Sequence, residues 1–133
     1  MKINVYLNFD GNCKEAMQFY HKVLGGEMEV MMPVAGSEAE PHMPDNMKNS
    51  TLHASLAVGG IKIMASDSPP EHYNRASGTS VCINLEDTQE AKRIFDALSD
   101  GGDILMPFEP TFFAKAFASF HDRFGVLWII HSM

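Results

Sequence analysis

The chain has 133 residues, 45% of them apolar and 20% charged, and a formal net charge of −7. That length and apolar share suit one domain, large enough to bury most of its unfolded surface without a disulfide or metal for stability. The negative charge lacks the basic footprint that nucleic acid requires, and no stretch nears the roughly 18 apolar residues of a membrane span. Met1 to Phe9 lacks the apolar run of a signal peptide, so a cytoplasmic location is expected. Cys13 and Cys82 form no metal-type pair and are expected to stay reduced there. Met17, Met28, Met31, Met32, Met64 and Met106 suit an adaptable core or a pliable pocket wall.

Ile3 to Phe9 alternates, with Ile3, Val5, Leu7 and Phe9 apolar against Asn4, Tyr6 and Asn8, which predicts a strand with one apolar face. Asp10-Gly11-Asn12 is turn chemistry, and Asn12 with Glu15 three residues later fits a capping box. Ala16, Phe19, Tyr20, Val23 and Leu24 follow helical spacing, and Gly25-Gly26 ends the helix. Glu27 to Val34 reads as a strand. Ala35 to Ser50 reads as a long loop, of the kind that often forms a lid. Thr51 to Val58 and Ile61 to Ser66 form a hairpin around Gly59-Gly60. Residues 68–78 form a polar linker.

The pattern then restarts. Val81, Ile83 and Leu85 alternate with Ser80, Cys82 and Asn84. Asp87 or Thr88 caps a helix carrying Ala91, Ile94, Phe95 and Leu98, and Gly101-Gly102 closes it. Phe19 and Phe95 lie 76 residues apart, as do Gly25 and Gly101, and Leu7 and Ile83. Asp103 to Phe108, Ala114 to His121 and Val126 to His131 complete the second set of strands. The expected architecture is therefore α+β: one domain of two βαβββ modules, residues 1–67 and 79–133. Each module has one helix for one sheet face, so the other face must meet its twin, a partner chain or a ligand. Two such curved sheets would enclose a cleft lined by Asn4-Tyr6-Asn8 and Ser80-Cys82-Asn84.

In chain order, the following segments carry a family resemblance: Tyr6-Leu7-Asn8-Phe9-Asp10-Gly11-Asn12; Phe19-Tyr20 with Leu24-Gly25-Gly26; Leu52-His53-Ala54-Ser55-Leu56; Met64-Ala65-Ser66-Asp67; Met106-Pro107-Phe108 with Thr111-Phe112-Phe113; and Asp122-Arg123-Phe124-Gly125-Val126-Leu127-Trp128. Together they resemble the vicinal oxygen chelate superfamily of glyoxalases, bleomycin-resistance proteins and extradiol dioxygenases, and within it the PhnB-like branch. The resemblance implies the glyoxalase/bleomycin-resistance-like fold, a homodimer, and one divalent metal held by His, Gln or Glu from the first and fourth strands of each module. Those positions fall on Asn4, Ser80, Met64 and Ile129. None is a strong ligand for zinc, nickel or iron, so no metal and no other cofactor is expected.

His53 alternates with Leu52 and Ala54, which aims it away from the helix-covered face. It reads as a hydrogen-bond donor or general base beside a small ligand, or as a half-buried histidine satisfied by a neighbour. Tyr6, Asn8, Ser55 and Asn84 are candidate polar contacts, or serve cross-strand bonding. Met64 is expected on the cleft face. Cys82 is a further lining residue, or a small buried hydrophobe. Phe113, with Phe112, Phe117, Phe120 and Trp128, belongs to an aromatic quarter that could stack on a planar ligand, although most of it reads as core. His42 sits in the loop, as lid contact or solvated surface.

Two functions compete: a metal-free binder of a small, partly apolar molecule, and a metal-dependent lyase, isomerase or dioxygenase with displaced ligands drawn from His53, Glu109 and His121. Ubiquinone-pathway methyl transfer, a label sometimes given to proteins resembling this branch, finds no support. No strand leads into the glycine-rich turn of a nucleotide-type cofactor site.

Overall fold

The computed structural model describes residues 1–133. The chain divides into two compact units, Met1–Asn74 and Arg75–Met133. Each carries one four-stranded sheet and one helix of three turns, and no helix is long and apolar enough to cross a membrane.

In the first unit β1 (Val5–Phe9), α1 (Cys13–Leu24), β2 (Glu27–Pro33), β3 (Thr51–Val58) and β4 (Ile61–Asp67) follow in chain order. The sheet order is β1-β4-β3-β2, with β1 and β4 parallel and the other pairs antiparallel. The period-two pattern sends Phe9, Ala54, Leu56, Ile63 and Ala65 to one face. There they bury against Ala16, Met17, Tyr20 and Val23, which share one face of α1. Each large side chain so buried contributes about 1.5–3 kcal/mol.

The second unit repeats the scheme with β5 (Val81–Leu85), α2 (Thr88–Ser99), β6 (Asp103–Glu109), β7 (Ala116–His121) and β8 (Leu127–Ser132), in sheet order β5-β8-β7-β6. Ala91, Ile94, Phe95 and Leu98 of α2 bury against Ala118, Phe120, Trp128 and Ile130. Phe95 meets Phe120 edge-on, ring centroids 5.4 Å apart.

In both units the second glycine after the helix lies against the third strand. A Cβ on Gly26 would run into the carbonyl oxygen of Ala57, and one on Gly102 into that of His121. Gly26 also holds a φ of +82°, which costs glycine nothing.

Three expectations need correction. The first strand begins at Val5, not Ile3; Ile3 is exposed, and Asn4 accepts the backbone N–H of Lys62 through its side chain instead of pairing in β1. Asn12 stands at the N-cap of α1 but makes no capping bond. Asp67, at the end of β4, takes the N–H of Cys13 on Oδ1 and that of Thr51 on Oδ2. The cap thus comes from a distant strand, which no local pattern announces. The aromatic quarter is only partly core: Phe120 and Trp128 are buried, whereas Phe112 and Phe113 lie exposed. The long loop contains two short 3₁₀ turns, and Met47 within it and Val34 just before it are buried in the core; His42 is exposed.

Candidate functional site

The helices cover one face of each sheet, so the candidate positions are those whose strand parity turns them to the open face. In the first unit Leu52, Ala54 and Leu56 face α1, and His53, Ser55 and Ala57 face away. Strand register sets Tyr6, Met64, Ser55 and Val30 side by side across all four strands. Asn8 lies two residues beyond Tyr6, beside Ser66 of β4. His53 pairs with the exposed Met32 of the edge strand β2. The rings of Tyr6 and His53 stack at 6.0 Å, with Tyr6 Oη 3.5 Å from His53 Nδ1. Tyr6, Asn8, His53, Ser55 and Met64 therefore share one face.

Ser55 stands apart within this group. It is only 4% exposed although it sits on the uncovered face. Its Oγ is buried without a hydrogen-bond partner. A buried hydroxyl left unpaired costs about 1–3 kcal/mol.

The second unit builds a comparable face from different residues. Cys82, Ile129, Ser119 and Met106 form one row across the strands, and Asn84, His131, Phe117 and Glu109 the next. Asn84 Oδ1 lies 2.8 Å from His131 Nδ1. Phe113 packs on this row, its ring 5.3 Å from Phe117 and 6.1 Å from His131. The other ring nitrogen, His131 Nε2, is buried and has no partner. Cys82 is exposed, not a buried hydrophobe, because β5 is an edge strand and alternation turns Cys82 outward. Partial desolvation nevertheless pushes its thiol pKa up, and a hydrogen bond with the Asn84 side chain offsets part of that rise.

His131 joins the face without having been singled out as a ligand contact, beside Phe117 of the aromatic quarter. The signal was present: with Trp128 and Ile130 in the core, alternation along β8 turns both Ile129 and His131 outward.

The residues considered for a displaced metal site do not converge within the second unit. Glu109 pairs with Phe117 and His121 with Asp103. Four residues of β7 separate those positions, about 13 Å at the usual strand rise. His121 Nε2 is instead 2.7 Å from the Ala76 carbonyl oxygen. No group of three or more His, Cys, Asp or Glu side chains is gathered anywhere in the chain. In the register Met64 stands beside Tyr6 and Ile129 beside Cys82, while Asn4 and Ser80 lie just before β1 and β5. A thioether, a phenol, a thiol and an isoleucine do not fit a divalent ion that prefers imidazole and carboxylate ligands.

Two four-stranded sheets, each with one covering helix, define the glyoxalase/bleomycin-resistance-like fold. The fosfomycin resistance protein FosX from Listeria monocytogenes, in its complex with Mn(II) and 1S,2S-dihydroxypropylphosphonic acid, shares it. That likeness has a TM-score of 0.67 at 11% identity over 98% of this chain and 90% of FosX, and it concerns the fold alone. Closer relatives narrow the assignment. Protein PA1353 from Pseudomonas aeruginosa is 42% identical with a TM-score of 0.90, over 99% of this chain and 97% of that one. A PhnB protein from Bacillus cereus is 25% identical with a TM-score of 0.83, over the full length of both chains. Protein YjdN of Escherichia coli K12 is 32% identical across 98% of this chain and 95% of its own. The profile of the family described as 3-demethylubiquinone-9 3-methyltransferase matches residues 1–131. The chain belongs to that family, a PhnB-like branch of the vicinal oxygen chelate superfamily.

Proposed function

We propose that this chain is a cytoplasmic protein that binds a small, partly apolar molecule on the open faces of its sheets and uses no divalent metal to do so. Ser55 carries the reading. Its hydroxyl is buried and unpartnered within the row Tyr6, Met64, Ser55 and Val30. A few polar groups among apolar walls are what a small-molecule site needs. The Tyr6–His53 pair supplies further donors and acceptors at its border.

Methyl transfer, named in the family's description, is not part of this proposal. Each sheet holds a single parallel pair, whereas nucleotide-type cofactors bind at the strand ends of doubly wound parallel sheets. A homodimer is part of it. Ile104, Leu105 and Met106 on the edge strand β6 are about half exposed, and a partner would cover them. Light scattering checks that element separately.

Ligand binding is tested by thermal unfolding with a panel of small aromatic and cationic compounds, since a ligand of the native state must raise its stability. A hit is expected to lose about fivefold or more in affinity in Ser55→Ala, by loss of one buried hydrogen bond. A panel with no stabilising compound, or hits indifferent to substitution on the open face of either sheet, would overturn the proposal.

A further inference from the structure

We infer that His131 Nε2 is a recognition atom, and that the ligand it accepts is a planar aromatic molecule carrying an O–H or N–H donor. The inference rests on the binding role proposed above and adds the chemistry of the molecule bound. Two observations on the open face of the second unit converge. His131 Nε2 is buried without a hydrogen-bond partner. His131 Nδ1 lies 2.8 Å from Asn84 Oδ1. The amide oxygen of an asparagine only accepts, so in the neutral ring the proton sits on Nδ1 and Nε2 is left as an acceptor. Asn84 is the positioning residue in this scheme, because its contact selects the tautomer.

The surroundings of the ring set the rest of the ligand. Phe113 and Phe117 each lie 6.1 Å from the His131 ring. Phe113 is 52% exposed, so part of an aromatic side chain that packs on His131 remains open to a ligand. Aromatic faces favour a flat ring in offset or edge-on contact. The site thus pairs one directional acceptor with an aromatic wall. A site built around a hydrogen bond rejects analogues that lack it far better than a hydrophobic wall rejects an added methyl group.

The test uses the full chain and two matched probes, 2-naphthol and 2-methoxynaphthalene, which share a ring system and differ in the donor. ¹⁵N spectra are expected to show the Nδ1–H tautomer of His131. Titration is expected to show 2-naphthol binding at least about fivefold tighter than its methyl ether, with a shift of the His131 Nε2 resonance. His131→Phe should abolish that preference. Asn84→Ala should weaken it, and Asn84→Asp, which retains an acceptor, should restore it. The Asn84 variants keep the test decisive should His131→Phe fail to fold. The Nε2–H tautomer, equal affinity for the two probes, or a preference that survives His131→Phe would overturn the inference. If both naphthalenes bind equally and Ser55→Ala weakens both, this inference falls and the general binding role stands. If neither probe nor any compound of the wider panel binds, both fall.

Discussion

Asp122 is buried, and its carboxylate is engaged on both oxygens: Oδ1 accepts from the backbone N–H groups of Phe124 and Val126, and Oδ2 from the indole N–H of Trp128. Asp122→Asn keeps the shape but turns one acceptor into a donor facing another donor. Unpaired buried groups cost about 1–3 kcal/mol each, so thermal unfolding should begin about 5–10 °C lower. An unchanged midpoint would contradict this account of the turn. Cys13 offers a second test. Burial, with the nearby Asp67 charge, pushes its thiol pKa from 9 up to about 12, and a hydrogen bond with Thr51 pulls the other way. The folded state therefore keeps a proton that the unfolded state loses above pH 9, so its contribution to stability is complete below pH 9 and is lost as pH rises toward 12. Cys13→Ala should flatten the alkaline loss of stability in denaturant titrations; an identical pH profile would refute the linkage. The sequence made the facing of His53 legible, since it follows from local alternation. The tautomer-selecting partner of His131 was not legible, because Asn84 lies 47 residues away and meets it only through the β5–β8 register.

The helix-to-strand joints show how the elements are fixed. Gly26 and Gly102 are pressed against the carbonyl oxygens of Ala57 and His121, whereas a Cβ on Gly59 would meet nothing within 4 Å. Gly26→Ala and Gly102→Ala must displace strand backbone and should each cost more than about 2 kcal/mol. Gly59→Ala carries only the strain of a positive φ, about 1–2 kcal/mol. Chemical denaturation of the three variants gives the ranking, and equal costs would show that the close approach is unimportant. The caps make a second contrast. Asp67→Ala removes acceptors from the N–H groups of Cys13 and Thr51 and should cost about 2 kcal/mol; Asn12→Ala, whose side chain makes no capping bond, should change little. The glycine pairs and the alternation were visible in the sequence because both are local. The α1 cap was misread because Asp67 lies 54 residues from Cys13, and Asn12 satisfied the local rule without being used. In α2, where Asp87 accepts from Gln89 and Glu90, the local rule and the structure agree.

At the scale of the whole molecule, the fold and the chemistry separate. The chain shares its architecture with FosX, which is known in complex with Mn(II), yet the neighbouring outward positions on the first and fourth strands of its two sheets carry Tyr6 and Met64, and Cys82 and Ile129. An architecture can persist while its ligands change, so the donor set decides metal binding and the fold does not. Mn(II) favours carboxylate, carbonyl and water oxygens, and none of these four side chains supplies a carboxylate or carbonyl oxygen. A native-state site at about 100 times its Kd would add about 2.7 kcal/mol of stability, or roughly 5–10 °C in the unfolding midpoint. Protein purified without an affinity tag and dialysed against chelator should instead unfold at the same temperature, within about 1 °C, with or without excess Mn(II). Elemental analysis before dialysis should find no stoichiometric zinc, manganese, nickel or iron. A stabilising shift that Asp103→Asn or Glu109→Gln removes would locate a site on β6 and overturn the metal-free reading. A shift that Cys82→Ser alone removes would point to a softer ion on the open face of the second unit, where the thiol is the one strong soft donor.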